Sequence, residues 1–189
     1  MNMYIVRHGE TDWNLKGLVQ GRADNPLNTR GIQQAKAMGE VFNGHIFECV
    51  ITSPLCRTKE TAAYLCHKAI VKSQRTDERI IEKSFGICDG IPIAQRYERY
   101  PYGHAPGEES FKVVRKRMSE AIREYASTYH DDILIVTHGC AIAALLKELD
   151  PAFEQQFIRL KNTSITVVNQ ELKVLAVDMS LDDVKNWTR

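Results

Sequence analysis

The stretch Met3-Tyr4-Ile5-Val6-Arg7-His8-Gly9 has the same pattern as Ile133-Leu134-Ile135-Val136-Thr137-His138-Gly139 much later in the chain. In both stretches an unbroken apolar run is followed, one residue later, by a His-Gly pair. Such runs are typical of strands that are covered on both faces, as in parallel sheets. Ligands of these sheets bind beyond the carboxyl ends of the strands. We therefore expect the two histidines to lie together at that edge of one sheet.

The segments around these two runs alternate between helix and strand patterns. Thr29 is predicted to cap a helix that continues to Phe42, because apolar residues recur there at spacings of three and four. Ser53 is predicted to cap the next helix, with Pro54 in its first turn. The remaining predicted elements are strands at 49–52 and 69–71, an irregular stretch at 77–110, helices at 111–129 and 141–149, and a hairpin at 164–168 and 172–177. This alternation predicts an α/β fold, a three-layer α/β/α sandwich with a mostly parallel central sheet.

Composition excludes several classes of protein. The 189 residues include 25 basic and 24 acidic side chains, a net charge of +1, so no nucleic-acid partner is expected. No apolar stretch approaches the roughly 20 residues that span a bilayer, so no membrane partner is expected either. The first residues lack the basic and apolar segments of a signal peptide, which predicts a cytoplasmic location. Without repeats or linkers, residues 1–189 are predicted to form a single domain.

Cysteine spacing gives no sign of a metal or disulfide framework. The five cysteines are odd in number and no two have C-x-x-C spacing, so we predict neither a thiolate zinc site nor structural disulfides. No metal or other cofactor is expected. Cys140, which follows the second His-Gly pair, is interpreted as a buried inert thiol, with an oxidant-sensing role as the less favoured alternative.

Two arginines are candidates to join the two histidines. Arg7 precedes His8 directly, and Arg57 lies one turn into the helix that follows the strand ending at Thr52. Taken singly, each arginine would be read as a solvated surface charge. If they converge with His8 and His138, they require a multiply charged oxyanion, and phosphate matches the planar fork of an arginine.

An ordered set of motifs extends this pattern along the chain. They are Arg7-His8-Gly9-Glu10-Thr11 with Asn14, Gln20-Gly21, Pro26-Leu27, Ser53-Pro54-Leu55-x-Arg57-x-x-x-Thr61, Glu82-x-x-Phe85-Gly86, Gly107-Glu108-Glu109-Ser110 and Thr137-His138-Gly139. Together they resemble the histidine phosphatase superfamily, which contains cofactor-dependent phosphoglycerate mutases and many small phosphatases. The resemblance runs from Met3 to about Val177. It implies a phosphoglycerate mutase-like fold, with a small lid-like insertion at about 86–110.

The resemblance also implies a role for each matching residue. His8 would be the nucleophile that receives the phosphoryl group, and Glu82 would give a proton to the leaving alkoxide. The phosphoryl oxygens would be held by Arg7, Arg57 and His138. These five residues form the expected catalytic set.

Four further residues are implied to bind substrate. Asn14 and the backbone N–H of Gly139 would add donors to the phosphate, and Gln20 and Gly21 match positions that contact substrate in the family. The sequence departs from the family pattern at Gly107-Glu108-Glu109-Ser110, which has one residue more than the common Gly-Glu-Ser. The role of Glu109 is therefore open.

These expectations predict a metal-independent phosphomonoester hydrolase of the histidine acid phosphatase type. It would act on a small phosphorylated metabolite through a phosphohistidine intermediate, with arginines in place of a metal. One alternative is a cofactor-dependent phosphoglycerate mutase, although the segment at 87–110 is short for a mutase and predicts an open pocket that admits water. The other is a noncatalytic phosphate-ligand sensor or scaffold. Sugar phosphates, phosphoglycerates, and nucleoside-type or ribazole-type phosphates all stay open as substrates.

Overall fold

The computed structural model describes residues 1–187, and at their centre is a six-stranded sheet. The strands of the described chain are β1 (Asn2–Arg7), β2 (Ile46–Phe47), β3 (Cys49–Thr52), β4 (Ile70–Val71), β5 (Gln74–Thr76), β6 (Ile133–Thr137), β7 (Ile165–Asn169) and β8 (Val174–Met179). The order in the sheet is β5-β3-β6-β1-β7-β8, while β2 and β4 form a separate parallel pair. Strands β5, β3, β6 and β1 are parallel to one another. Strand β7 is antiparallel to β1, and β8 is antiparallel to β7. The prediction of a mostly parallel sheet is confirmed.

Helices cover both faces of this sheet. They are α1 (Asp12–Leu15), α2 (Thr29–Gly39), α3 (Cys56–Leu65), α4 (Ile93–Arg99), α5 (Phe111–Thr128), α6 (Gly139–Leu149) and α7 (Leu181–Asn186). Because side chains alternate along a strand, Met3 and Ile5 of β1 pack in one core with α5 and α6. Tyr4 and Val6 pack in a second core with α2 and α3. The three-layer arrangement is confirmed.

Strand register determines where the functional side chains meet. β1 pairs in parallel with β6, and Arg7 lies opposite Thr137 at the end of the pairing. The residues that follow, His8 and His138, therefore leave the sheet side by side at its carboxyl edge. This is the juxtaposition that the two apolar runs predicted.

The predicted starts of two helices are wrong. Asn28 caps α2, since its side chain accepts a hydrogen bond of 2.8 Å from the N–H of Gly31, and Thr29 is already helical. Helix α3 begins at Cys56, after Ser53 and Pro54, and has no side-chain cap. The Ser53 hydroxyl is instead engaged at the edge of the sheet, as described below.

Other differences concern short elements. The predicted strand at 69–71 is present as β4, but it pairs with β2 outside the central sheet. One edge strand of the central sheet is β5, next to β3, and its three residues are exposed and have no apolar pattern. The irregular stretch also contains α4. No helix within residues 1–187 is long and apolar enough to cross a membrane.

Candidate active site

His8 lies immediately beyond β1 and is almost fully buried, with 3% of its surface exposed. Its Nδ1 is 2.7 Å from the carbonyl oxygen of Gly9. Because a carbonyl only accepts, Nδ1 carries the proton and Nε2 carries the lone pair. Burial, together with the charges of Arg57 and Arg7, holds the pKa of His8 well below 6.5. The ring is therefore neutral and its Nε2 is suited to nucleophilic attack.

His138 lies beyond β6 at the N-cap position of α6. Its Nε2 is 2.8 Å from the hydroxyl of Ser53, and the two histidine rings have centroids 5.2 Å apart. Burial and then the charge of Arg57 hold the pKa of His138 well below 6.5. Its Nδ1 is buried and has no hydrogen-bond partner among the described residues. A buried polar atom without a partner is costly, which favours a ligand at this point.

Sequence reasoning missed the role of Ser53. Its position before a proline and a helical pattern predicts a helix cap. The residue directly follows the end of β3, at the same edge as the two histidines. The strand-end rule that selected His8 and His138 could therefore have selected it too.

Two buried guanidinium groups supply positive charge at this edge. Arg57 is fully buried on α3 and donates to the carbonyls of Ala23 (2.7 Å) and Gly21 (2.8 Å). Arg7 donates through Nη1 to the carbonyl of Leu160, and its Nε is buried without a partner in the described part of the chain. Burial lowers the pKa of both arginines, yet a guanidinium stays charged in proteins. Buried charge of this kind favours an anionic ligand.

Glu82 brings a carboxyl group to the N-terminus of α6. Its Oε1 accepts from the N–H of Lys83 (2.8 Å) and Ala141 (3.1 Å), and its Oε2 accepts from the N–H of Cys140 (3.1 Å). Burial raises the pKa of Glu82 above 4.5, although these N–H donors and the arginines act in the opposite direction. The side chain can therefore hold a proton at a higher pH than an ordinary glutamate.

Gly139 lies against the guanidinium of Arg7. A Cβ at Gly139 would lie 3.4 Å from Nε of Arg7, which is an ordinary van der Waals contact. The next amides of α6 already bind Glu82. The N-terminus of α6, where the resemblance implies that the Gly139 N–H binds phosphate, thus holds a carboxylate of the protein itself.

Asn14 supports the loop beyond β1. Its Oδ1 accepts from the N–H of Thr11 (3.2 Å), forming a capping box for α1, and from Nδ2 of Asn162 (3.3 Å). Asn162 also donates to the carbonyl of His8 at 2.9 Å. Asn162 belongs to a loop between α6 and β7 without a recognisable motif, so no signal in the sequence pointed to this contact.

Gln20 and Gly21 both contact the guanidinium group of Arg57. Gln20 lies 2.6 Å from the Thr11 hydroxyl, and when its amide nitrogen donates there, its oxygen accepts from Arg57 at 3.2 Å. The N–H of Gly21 donates to Asp89 at 2.9 Å, and its carbonyl binds Arg57. Both backbone polar groups of Gly21 therefore have protein partners, and these two residues orient Arg57 in this structure.

The five expected catalytic side chains come together, but the pocket around them is not open. Four of them, His8, Arg57, Glu82 and His138, have between 0% and 5% of their surface exposed. The segment at 86–110 is tied to the loop before Gly21 by hydrogen bonds of 2.9 Å between Val19 and Ile91 and between Gly90 and Val19. The expectation that a short segment leaves the pocket open is therefore wrong for this conformation. In the described part of the chain, no three His, Cys, Asp or Glu side chains form a group that could hold a metal ion.

Comparisons with known proteins identify the family of the chain. The chain is 37% identical over 169 residues to the uncharacterized phosphatase PhoE of Bacillus subtilis, covering 86% of this chain and 84% of that protein. It is 31% identical over 188 residues to the probable phosphoglycerate mutase GpmB of Proteus mirabilis, covering 90% and 86%. A solved mycobacterial glucosyl-3-phosphoglycerate phosphatase in complex with VO3 superposes with a TM-score of 0.80 at 25% identity, covering 95% and 99%. The model of the histidine phosphatase superfamily, branch 1, matches residues 3–180, and the chain belongs to that superfamily.

Proposed function

We propose that this protein is a metal-independent phosphomonoester hydrolase that acts on a small phosphorylated metabolite through a phosphohistidine on His8. The observation that carries the proposal is the hydrogen bond from Nδ1 of His8 to the Gly9 carbonyl, because it leaves the Nε2 lone pair for attack. Burial, and then the charges of Arg57 and Arg7, keep the ring neutral by lowering its pKa. A neutral imidazole in a positively charged pocket is what phosphoryl transfer to histidine requires.

In the first half-reaction, Nε2 of His8 attacks phosphorus as the bond to the leaving alkoxide breaks. Negative charge on the three other oxygens would be stabilised by Arg7, Arg57 and His138. The buried Nε of Arg7 and Nδ1 of His138, which have no hydrogen-bond partner within residues 1–187, support this role. The protonated carboxyl of Glu82 gives its proton to the alkoxide, and the alcohol leaves.

In the second half-reaction, water attacks the phosphohistidine. Glu82, now a carboxylate, takes a proton from that water, and the P–N bond to His8 breaks to release inorganic phosphate. The raised pKa of Glu82 supports this exchange of roles, since a carboxyl that titrates nearer to neutrality can both give and take a proton. Both guanidinium groups carry fixed charge, so no metal is required for transition-state stabilisation.

A phosphoglycerate mutase is the second candidate. The 31% identity to the relative called probable phosphoglycerate mutase favours it, and so does the limited exposure of His8, because a mutase must keep water from its phosphohistidine. A noncatalytic sensor is less favoured, since every residue of the expected catalytic set is present and converges. The specific substrate is a separate question from the choice between these reactions.

The test is a panel of phosphate monoesters assayed with a chelator present, including 3-phosphoglycerate with and without a bisphosphoglycerate primer. Hydrolysis predicts inorganic phosphate as the main product, unchanged by the chelator and by the primer. Efficient primer-dependent formation of 2-phosphoglycerate with slow phosphate release would assign the mutase. No turnover of any ester, including an aryl phosphate, would favour the sensor, and recovery of activity only on addition of a divalent metal would overturn metal independence.

A further inference from the structure

The segment 79–84, which carries Glu82, is held by side chains from outside it. Because this segment is largely outside regular structure, its carbonyl groups need partners from other parts of the chain. The donors are Nη1 of Arg117 to Arg79 (2.8 Å) and Ile81 (2.5 Å), Oγ1 of Thr137 to Ile80 (2.6 Å), and Nε of Arg22 to Glu82 itself (3.3 Å). Four consecutive carbonyls are thus bound by side chains from three separate parts of the chain: α5, β6 and the loop that contains Arg22.

Glu109 links two of these three donors. Its carboxylate accepts from Arg117 through both oxygens, at 2.9 Å from Nε and 3.0 Å from Nη2, and from Nη2 of Arg22 at 3.2 Å. Its backbone N–H donates to the carbonyl of Ser84 at 2.9 Å. Only 11% of the Glu109 side chain is exposed. Glu109 therefore contacts Ser84, two residues after Glu82. It also contacts both arginines that donate to carbonyls of the preceding residues, 79–82.

The carboxylate of Glu109 lies between the two arginines, since Nη2 of Arg22 and Nη2 of Arg117 both donate to its Oε2, at 3.2 and 3.0 Å. Its negative charge offsets the repulsion between the two guanidinium groups. Paired, charge-assisted hydrogen bonds also fix the plane of a guanidinium, which directs the remaining N–H groups of Arg117 towards Arg79 and Ile81. Burial acts to raise the pKa of Glu109, but the hydrogen bonds from Arg117 lower it overall, so the group stays ionised.

We infer that Glu109 is a positioning residue that, through Arg22 and Arg117, sets the place of the Glu82 carboxyl at the N-terminus of α6. This inference rests on the proposed function, in which Glu82 protonates the leaving group. It gives a role to the residue that the family pattern left open. Among the described residues, Glu109 makes no hydrogen bond or ion pair with His8, Arg7 or Arg57, so its most direct path to the site is through Glu82.

A leaving-group comparison separates this role from a general structural one. An aryl phosphate such as p-nitrophenyl phosphate leaves as a stable phenolate and needs little proton transfer, whereas an alkyl phosphate such as glycerol 3-phosphate needs it fully. For Glu109→Gln, we expect kcat/KM to fall about tenfold or more with the alkyl ester, a part of the 10²–10⁴-fold that general acid catalysis supplies. With the aryl ester we expect a change within about threefold.

The matched control is Glu154→Gln, which removes another carboxylate held by an arginine of α5. Glu154 accepts from Arg115 at 2.9 and 3.0 Å and lies away from the Glu82 segment. We expect both substrates to be unaffected there. If Glu109→Gln does not fold, as judged by thermal unfolding, Arg117→Lys with Arg115→Lys as its control tests the same contact.

Glu82→Gln is the reference that separates the two proposals. A selective loss with the alkyl ester in Glu82→Gln, matched in part by Glu109→Gln, supports the inference. If Glu82→Gln shows the selective loss while Glu109→Gln affects both esters equally or neither, the positioning role is wrong. If Glu82→Gln itself shows no selectivity between the esters, the acid role in the proposed function fails instead.

Discussion

The imidazole rings of His8 and His138 lie with centroids 5.2 Å apart and planes inclined by 61°. They meet only because β1 and β6 are neighbouring parallel strands that end at the same level. Burial and the charge of Arg57 lower the pKa of both rings, so two neutral imidazoles stand together. In the proposed mechanism one gives a lone pair to phosphorus and the other gives a hydrogen bond to a phosphoryl oxygen.

His8→Ala is expected to abolish turnover, by at least about a thousandfold, because the variant has no nucleophile. The side chain lies at the end of the sheet, and within residues 1–187 its ring hydrogen-bonds only to the adjacent Gly9, so the melting temperature should change little. Rapid quenching of the unaltered protein with ³²P-labelled substrate should give an acid-labile, base-stable phosphoramidate on His8. His67→Ala, at an exposed position after α3, is the control. Label on a cysteine, or activity that survives in His8→Ala, would contradict the mechanism.

Ser53→Ala is expected to lower kcat/KM about tenfold, which corresponds to the loss of one hydrogen bond of about 1–1.5 kcal/mol. When the Ser53 hydroxyl donates to Nε2 of His138, the proton of the ring is on Nδ1, the buried atom that has no hydrogen-bond partner in the part of the chain that the structure describes. Alanine removes this control of the tautomer and weakens binding of the phosphoryl group.

The measurement for Ser53→Ala is kcat/KM together with the inhibition constant of inorganic phosphate, and both should worsen. Ser127→Ala is the control, because that hydroxyl bonds a carbonyl within α5 at an exposed position. Equal effects of the two substitutions would mean that Ser53 has no role in the site.

The pH dependence should report Glu82 directly. The first step needs Glu82 protonated, and its pKa is raised above 4.5, so the proton is lost as pH increases through that raised value. The ratio of kcat/KM between the unaltered protein and Glu82→Gln, with an alkyl phosphate, should therefore be largest at low pH and fall as pH rises. Taking this ratio cancels the ionisation of the substrate and of His8. A ratio that is constant from pH 4 to 9 would show that Glu82 transfers no proton in this step.

Much of the site could be predicted because it depends on strand ends. An apolar run predicts a buried strand, and the residue after it must lie at the edge of the sheet, so His8 and His138 required no three-dimensional information. The same reasoning fails where the local signals compete. Ser53 followed by a proline has the pattern of a helix cap, but its hydroxyl contacts His138 across the sheet edge.

Contacts between distant loops could not be predicted. The strand β5 is polar and exposed, so its membership of the sheet follows from pairing with β3 and not from its own side chains. The bonds of Glu109 to Arg22 and Arg117 depend on the path of three separate segments. Such charged residues are usually solvated on a surface, and only the folded chain shows which of them are covered.

Asp77→Asn is expected to destabilise the fold. The carboxylate accepts from the Tyr125 hydroxyl (2.7 Å) and from Nη2 of Arg79 (2.6 Å), and it caps the turn Glu78–Ile80. Burial acts to raise its pKa, but the hydrogen bonds from Arg79 and Tyr125 prevail and lower it to about 2, from an ordinary value of 3.8. Loss of one charge-assisted contact, allowing for screening by solvent, should cost about 1–3 kcal/mol in the free energy of unfolding at pH 7.

The sign of the pH effect follows from the lowered pKa of Asp77. A carboxyl whose folded pKa lies below its unfolded value contributes stability above about pH 4, and this contribution is lost as pH falls to about 2. The free energy of unfolding of the unaltered protein, measured with urea, should therefore fall as pH decreases across this range. That of Asp77→Asn should fall less. Part of the slope should stay, because Lys83 and Arg96 hold the pKa of Glu108 to about 2 as well, against the effect of its burial. Asp131→Asn, which removes an exposed ion pair with Lys72, serves as the control and should leave both the stability and its slope nearly unchanged. If the two asparagine variants have the same stability at pH 7 and the same slope, the buried contacts of Asp77 do not stabilise this fold.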